Sequence, residues 1–178
     1  MSLFVFAVMA FIAFIALIWQ IKVCEIIAMA CAPTGALFTC ITLITGSLWG
    51  KATWGTYWDW DPRLTSELIL LFLYLGIIGL YQAIEDPRQG ARAAGFLSIV
   101  GLGLLPIIHY SVYWWYSLHQ GQTVTLFGPE KMYGLGTLLL SLLAYQCWFI
   151  ASVLHRARVD NMLRAAQSQW VRNLSKIS

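Results

Sequence analysis

The sequence predicts an all-α, polytopic transmembrane helical bundle of five spans, and three observations carry that prediction. Of 178 residues, 60% are hydrophobic and 11% charged, and the mean hydropathy is +0.71. A water-dispersed domain of this length needs far more charge. Five apolar stretches, at roughly 3–21, 25–48, 66–84, 93–113 and 132–154, each run about 19–24 residues, enough to cross a hydrocarbon core of about 30 Å. The basic residues are also sorted. Lys22, Arg88, Arg92, Arg156, Arg158, Arg164, Arg172 and Lys176 fall on one side of the bundle, and Lys51, Arg63 and Lys131 on the other. By the positive-inside rule the richer side is cytoplasmic.

The first span follows an N-terminus with no basic n-region or small-residue cleavage pattern, so it does not read as a signal peptide. A tight polar break at Ile21–Glu25 leads into the second span. The third begins after a tryptophan-rich segment, 49–67, with Thr65 or Ser66 available as N-cap. Residues 85–92, EDPRQGAR, read as a short charged loop punctuated by Pro87 and Gly90. The fourth span opens into a longer loop, 114–131, and the fifth ends in a basic, mildly amphipathic tail, 156–178, suited to a cytoplasmic lipid surface. The whole, 1–178, reads as one integral membrane domain. Cys24, Cys31, Cys40 and Cys147 lie in or beside apolar runs, form no CxxC, and need no disulfide or metal role.

Segment 49–67, WGKATWGTYWDWDPRLTSE, is the most informative part of the chain. Trp49, Trp54, Trp58 and Trp60 suit a bilayer surface, where one side is apolar and the other wet. A belt of interfacial aromatics explains one or two of them. It does not explain Asp59, Asp61 and Arg63 interleaved among them, whereas a surface for a large flat ligand does. The spacing of Trp54, Trp58 and Asp61 predicts one helical face, ended by Pro62. Lys51 and Arg63 are either snorkelling interface residues or partners for ligand carboxylates, Arg63 the better for its fork. Asp61 either orients Arg63 or serves the turn.

Both unusual loops, 49–67 and 114–131, share the outer side. His119 follows the aromatic run Tyr113, Trp114, Trp115 and Tyr116, and is either an ordinary loop histidine or an iron ligand. His109 reads as a hydrogen-bonding residue within the bundle, and His155 as a cation at a helix C-terminus.

WGTYWDWDPRLTSELILLFLY resembles the tryptophan-rich signature of the haem-handling membrane proteins of c-type cytochrome maturation. Its continuation, together with LITGSLWGK and LPIIHYSVYWWYSLHQG, is similar to the haem exporter protein C family. The resemblance implies haem b held as non-covalent cargo on the periplasmic face of the bacterial inner membrane. It implies Trp54, Trp58, Trp60, Asp61, Arg63, Trp114 and Trp115 as the cargo-contacting set, with His119, in SLHQG, as an axial iron ligand. The implied partners are the haem chaperone CcmE, the ATP-binding transporter pair CcmA and CcmB, and the small subunit CcmD; no nucleic acid and no bond-making catalysis are expected. The family has six spans, so the sequence is expected to lack a first helix and the outer loop bearing a second axial histidine. Asp59 and Pro62 stand where the family usually has an apolar residue and alanine.

A conducting transporter would need ionisable residues at mid-membrane depth, and the spans offer essentially none. A haem-bearing electron-transfer anchor would need paired histidines inside helices, and His109 has no partner. A structural assembly subunit is the third reading.

Overall fold

The computed structural model describes residues 1–114 and 135–166, all helix and short connection, without strands. Six helices run in order: α1 (Ser2–Trp19), α2 (Lys22–Trp54), α3 (Pro62–Ala83), α4 (Pro87–Gly101), α5 (Leu104–Trp114) and α6 (Leu135–Ala166). Five stretches are long and apolar enough to span a membrane, α4 continuing into α5 as one of them through Ile108. Trp115, His119, most of the 114–131 loop and the tail after Ala166 lie outside the described residues.

The central helix is α2, which packs on α1, α3, α4 and α6. Its middle is rich in small side chains, Ala28, Ala30, Cys31, Ala32, Gly35 and Ala36, all buried. Hydrophobic transfer does not drive helices together in lipid, so close backbone approach through small residues must supply packing energy instead. α1 answers with a stripe of Val5, Phe6, Met9, Ala10 and Ala13 at helical spacing. Tyr74 of α3 fills the notch at Gly35, where an added Cβ would fall on its ring. The Tyr74 ring meets Phe6 edge to face at 5.2 Å, and its hydroxyl donates to the Ser2 carbonyl at 3.0 Å. Ser2 also donates to the carboxylate of Glu67, so α1 and α3 start at the same end. α6 joins α2 through Phe38, whose ring meets Trp148 at 5.1 Å and Tyr145 at 6.0 Å.

Four boundaries differ from the sequence expectation, each for a local reason. α2 does not stop near Leu48 but continues to Trp54, where Gly55 adopts φ +81° and closes it. At 33 residues it is about 50 Å long, so it overshoots a hydrocarbon core of about 30 Å. The loop expected over 85–92 shrinks, because Pro87 starts α4. The third span is capped by Asp61, not by Thr65 or Ser66. Both starts use the same tripeptide, Asp-Pro-Arg: Asp61 accepts from the Arg63 backbone N–H at 3.0 Å, and Asp86 from that of Arg88 at 3.1 Å. Proline at the first helical position gives up an N–H that would have lacked a partner in any case. Finally, the fourth span breaks at Leu102–Gly103. Pro106 offers no N–H to the Leu102 carbonyl, which accepts instead from Leu105 at 3.1 Å in a tighter turn.

The charges divide by end. Lys22, Arg88 and Arg92, with the α6 residues Arg156, Arg158 and Arg164, lie at the end opposite the tryptophans. Arg92 pairs with Glu25 there at 3.5 Å, and Arg164 donates to the Tyr81 hydroxyl at 2.8 Å. The four cysteines are free thiols.

Candidate functional site

At the other end, the last turns of α2, the seven residues 55–61 and the first turn of α3 form a shelf of indoles. The overshoot of α2 carries Trp49 and Trp54 beyond the apolar span. They meet edge to face, ring centroids 5.0 Å apart and planes at 80°. Gly55 then turns the chain, and Trp58 and Trp60 form a second such pair at 5.9 Å and 82°. The helical face expected to unite Trp54, Trp58 and Asp61 is not formed, because the helix ends at Trp54. The shelf comes together through the turn instead.

Geometry limits what this shelf can hold. Within each pair the planes are nearly perpendicular, so a flat ligand lies face-on to one indole and meets the other edge-on. Edge-to-face contact matches the electron-rich face of one ring with the positive edge of the next. Trp60 is 75% exposed, and Trp49 and Tyr57 are also open, while Trp54 and Trp58 are half-buried. The exposed rings therefore have faces to offer and the half-buried ones hold them in place.

The charged residues divide in role. Lys51 donates to the Gly55 carbonyl at 2.8 Å and lies 5.1 Å from the Tyr57 ring centre, so it closes the α2 C-terminus while resting on an aromatic face. Asp61 is 5% exposed and caps α3 through the backbone of Arg63, not through its guanidinium. Of the two sequence readings for Asp61, the turn is the one the structure draws. Arg63 is exposed, and its side chain makes no hydrogen bond among the described residues. Glu67, one turn further along α3, is buried against Ser2. By sequence Glu67 reads only as a carboxylate favoured by the positive start of the helix; its burial against the first helix is what the structure adds.

Asp61→Ala should cost about 1 kcal/mol of stability through the lost cap, while Asp61→Asn, an equally good cap, costs little. Thermal unfolding in detergent distinguishes the two. If Asp61 held its place by charge alone, the two variants would fall together.

Trp114 closes α5; Trp115 and His119 are not among the described residues, so their relation to the shelf rests on sequence. Among the described residues no group of three or more His, Cys, Asp and Glu side chains could hold a metal ion.

Fold and shelf together define a multi-pass helical membrane protein with an exposed aromatic surface at one end. The family model described as Heme exporter protein C matches residues 1–172, and the chain belongs to that family. It is 45% identical over 177 residues to Heme exporter protein C of Haemophilus influenzae, covering 98% of this chain and 72% of that protein. It is 57% identical over 122 residues to the Escherichia coli K12 protein of the same name, covering 68% of this chain and 50% of that one. With the Bradyrhizobium diazoefficiens protein, also named Heme exporter protein C, it shares 41% identity over 180 residues, 100% of this chain and 68% of the relative.

Proposed function

We propose that this chain is a haem export component that binds haem b as cargo on the periplasmic face of the bacterial inner membrane and delivers it to the chaperone CcmE. The observation that carries the reading is the exposed indole shelf, raised clear of the apolar span by the overshoot of α2. A belt that only anchors a protein would lie at the interface, not beyond it. Family membership and the names of the relatives support haem as the cargo.

In this reading Trp60 lies face-on to the macrocycle and Trp58 meets it edge-on, Trp54 contacts it from the end of α2, and family resemblance adds Trp114 and Trp115 to the set. His119 ligates the iron from one side. Arg63, exposed, meets a propionate. Lys51 is the weaker candidate, since its ammonium already serves the Gly55 carbonyl. Asp61 acts on the site by setting the start of α3, and so the direction of Arg63. The sorting of basic residues supports a cytoplasmic position for the opposite end. CcmA, CcmB and CcmD complete the transporter complex in which the chain works, and no covalent chemistry is assigned to it.

The test is the absorption spectrum of the haem-loaded, full chain. His119→Ala should shift the Soret and visible bands, because an axial nitrogen is lost, while part of the haem is retained by the shelf. Arg63→Ala should keep the wild-type bands and lower haem retention by about tenfold, the value of one charge-assisted hydrogen bond. Unchanged bands in the first variant would remove His119 as ligand.

A further inference from the structure

At the basic end, α2, α4 and α6 border an open cleft of about 520 Å³, lined by Lys22, Arg88 and Arg164 over an apolar floor that includes Val23 and Ile26. We propose that this cleft binds the phosphate of an anionic phospholipid headgroup. Four observations lead there.

The first is charge. Three cations line the cleft and no carboxylate does. Of the acids near it along the chain, Glu25 pairs with Arg92 and Asp86 caps α4, while Glu85 and Asp160 stand outside the lining. Among the described residues neither the Lys22 ammonium nor the Arg88 guanidinium has an ion-pair partner. The second is preorganisation. Arg164 is held from behind by the Tyr81 hydroxyl at 2.8 Å, so its position does not depend on a ligand. The third is the start of α2, where the N-cap Ile21 supplies no side-chain hydrogen bond, and the positive helix end adds to the field.

The fourth observation is depth, and it chooses the ligand. α1 ends at Trp19, α2 begins at Lys22, α3 ends at Ala83 and α4 begins at Pro87. These four termini mark one membrane surface, so the cleft lies at headgroup level with its apolar floor toward the acyl chains. Basic pockets between membrane helices at this level suit acidic headgroups. A zwitterionic headgroup brings its own cation into the cleft and loses most of the attraction.

The test uses the full chain in detergent, scored by native mass spectrometry for retained lipid and by thermal unfolding with added lipid. Phosphatidylglycerol should bind and raise the unfolding temperature by several degrees; phosphatidylcholine and millimolar inorganic phosphate should do neither. In the double variant Lys22→Gln/Arg88→Gln, phosphatidylglycerol retention should fall about tenfold or more. Lys22→Arg/Arg88→Lys should restore it, and Arg158→Gln, outside the cleft, should match wild type. Three outcomes overturn the proposal: equal stabilisation by phosphatidylcholine, undiminished retention in the double variant, or a shift reproduced by inorganic phosphate, which would assign the cleft to a free phosphate.

Discussion

A full chain carrying Trp58→Ala and Trp60→Ala together should retain less than about one hundredth of the haem bound by wild type, the estimate resting on apolar area lost from the shelf. An indole face pressed on a macrocycle removes on the order of 100 Å² of apolar surface from water, worth about 2.5 kcal/mol at 25 cal/mol per Å², or roughly seventyfold in affinity. The two losses should not simply add. The rings pack edge to face at 5.9 Å, so removing Trp58 also frees Trp60 to turn away from the ligand. Each single variant should therefore lose more than half of what the double variant loses, in free energy. The readout is haem per chain by absorbance after purification from cells supplied with haem. Trp19→Phe is the control, because Trp19 is exposed at the opposite end and belongs to the interfacial belt alone. Should the double variant hold haem as well as Trp19→Phe does, the shelf is a belt and nothing more.

The second large effect concerns the bundle. Gly35→Ala should destabilise by about 1–3 kcal/mol, the range for forcing extra volume into a packed core. The added Cβ falls on the Tyr74 ring, which is fully buried and fixed at both ends, by Phe6 at 5.2 Å and by the Ser2 carbonyl at 3.0 Å. A surface tyrosine would swing aside, but here any movement breaks a hydrogen bond inside the membrane. The same substitution in a Tyr74→Leu background should cost close to nothing, since the obstructing ring is gone. Denaturant unfolding of the four proteins in mixed micelles measures the difference, and a coupling below about 0.5 kcal/mol would show that the notch and the ring are independent.

The spans were legible because length and apolarity are enough to specify a membrane helix, and the shelf was legible because four indoles in twelve residues exceed what anchoring requires. Details of the shelf were not. The second apolar stretch reads as ending at Leu48, yet α2 continues to Trp54 before Gly55 closes it. A 3–4 spacing of Trp54, Trp58 and Asp61 suggested one face, but spacing has no meaning once Gly55 ends the helix. The mutual angles of the indoles depend on which rings meet across that turn, which no linear pattern encodes. Two signals were available and underused. Asp followed by Pro marks a helix start, at Asp61 as at Asp86, and Pro106 foretells the break at Leu102 by the hydrogen bond it cannot give. His119, Trp114 and Trp115 enter the candidate site through family resemblance, since nothing in their local spacing distinguishes a ligand from a loop.

α2 carries Lys22 at one end and Trp54 at the other without an interruption of its helix. Pro33, inside that helix, gives no N–H to the carbonyl one turn back, so the rod bends more easily there than anywhere else along its length. A bend at that point would carry the shelf sideways while leaving the basic end where it is.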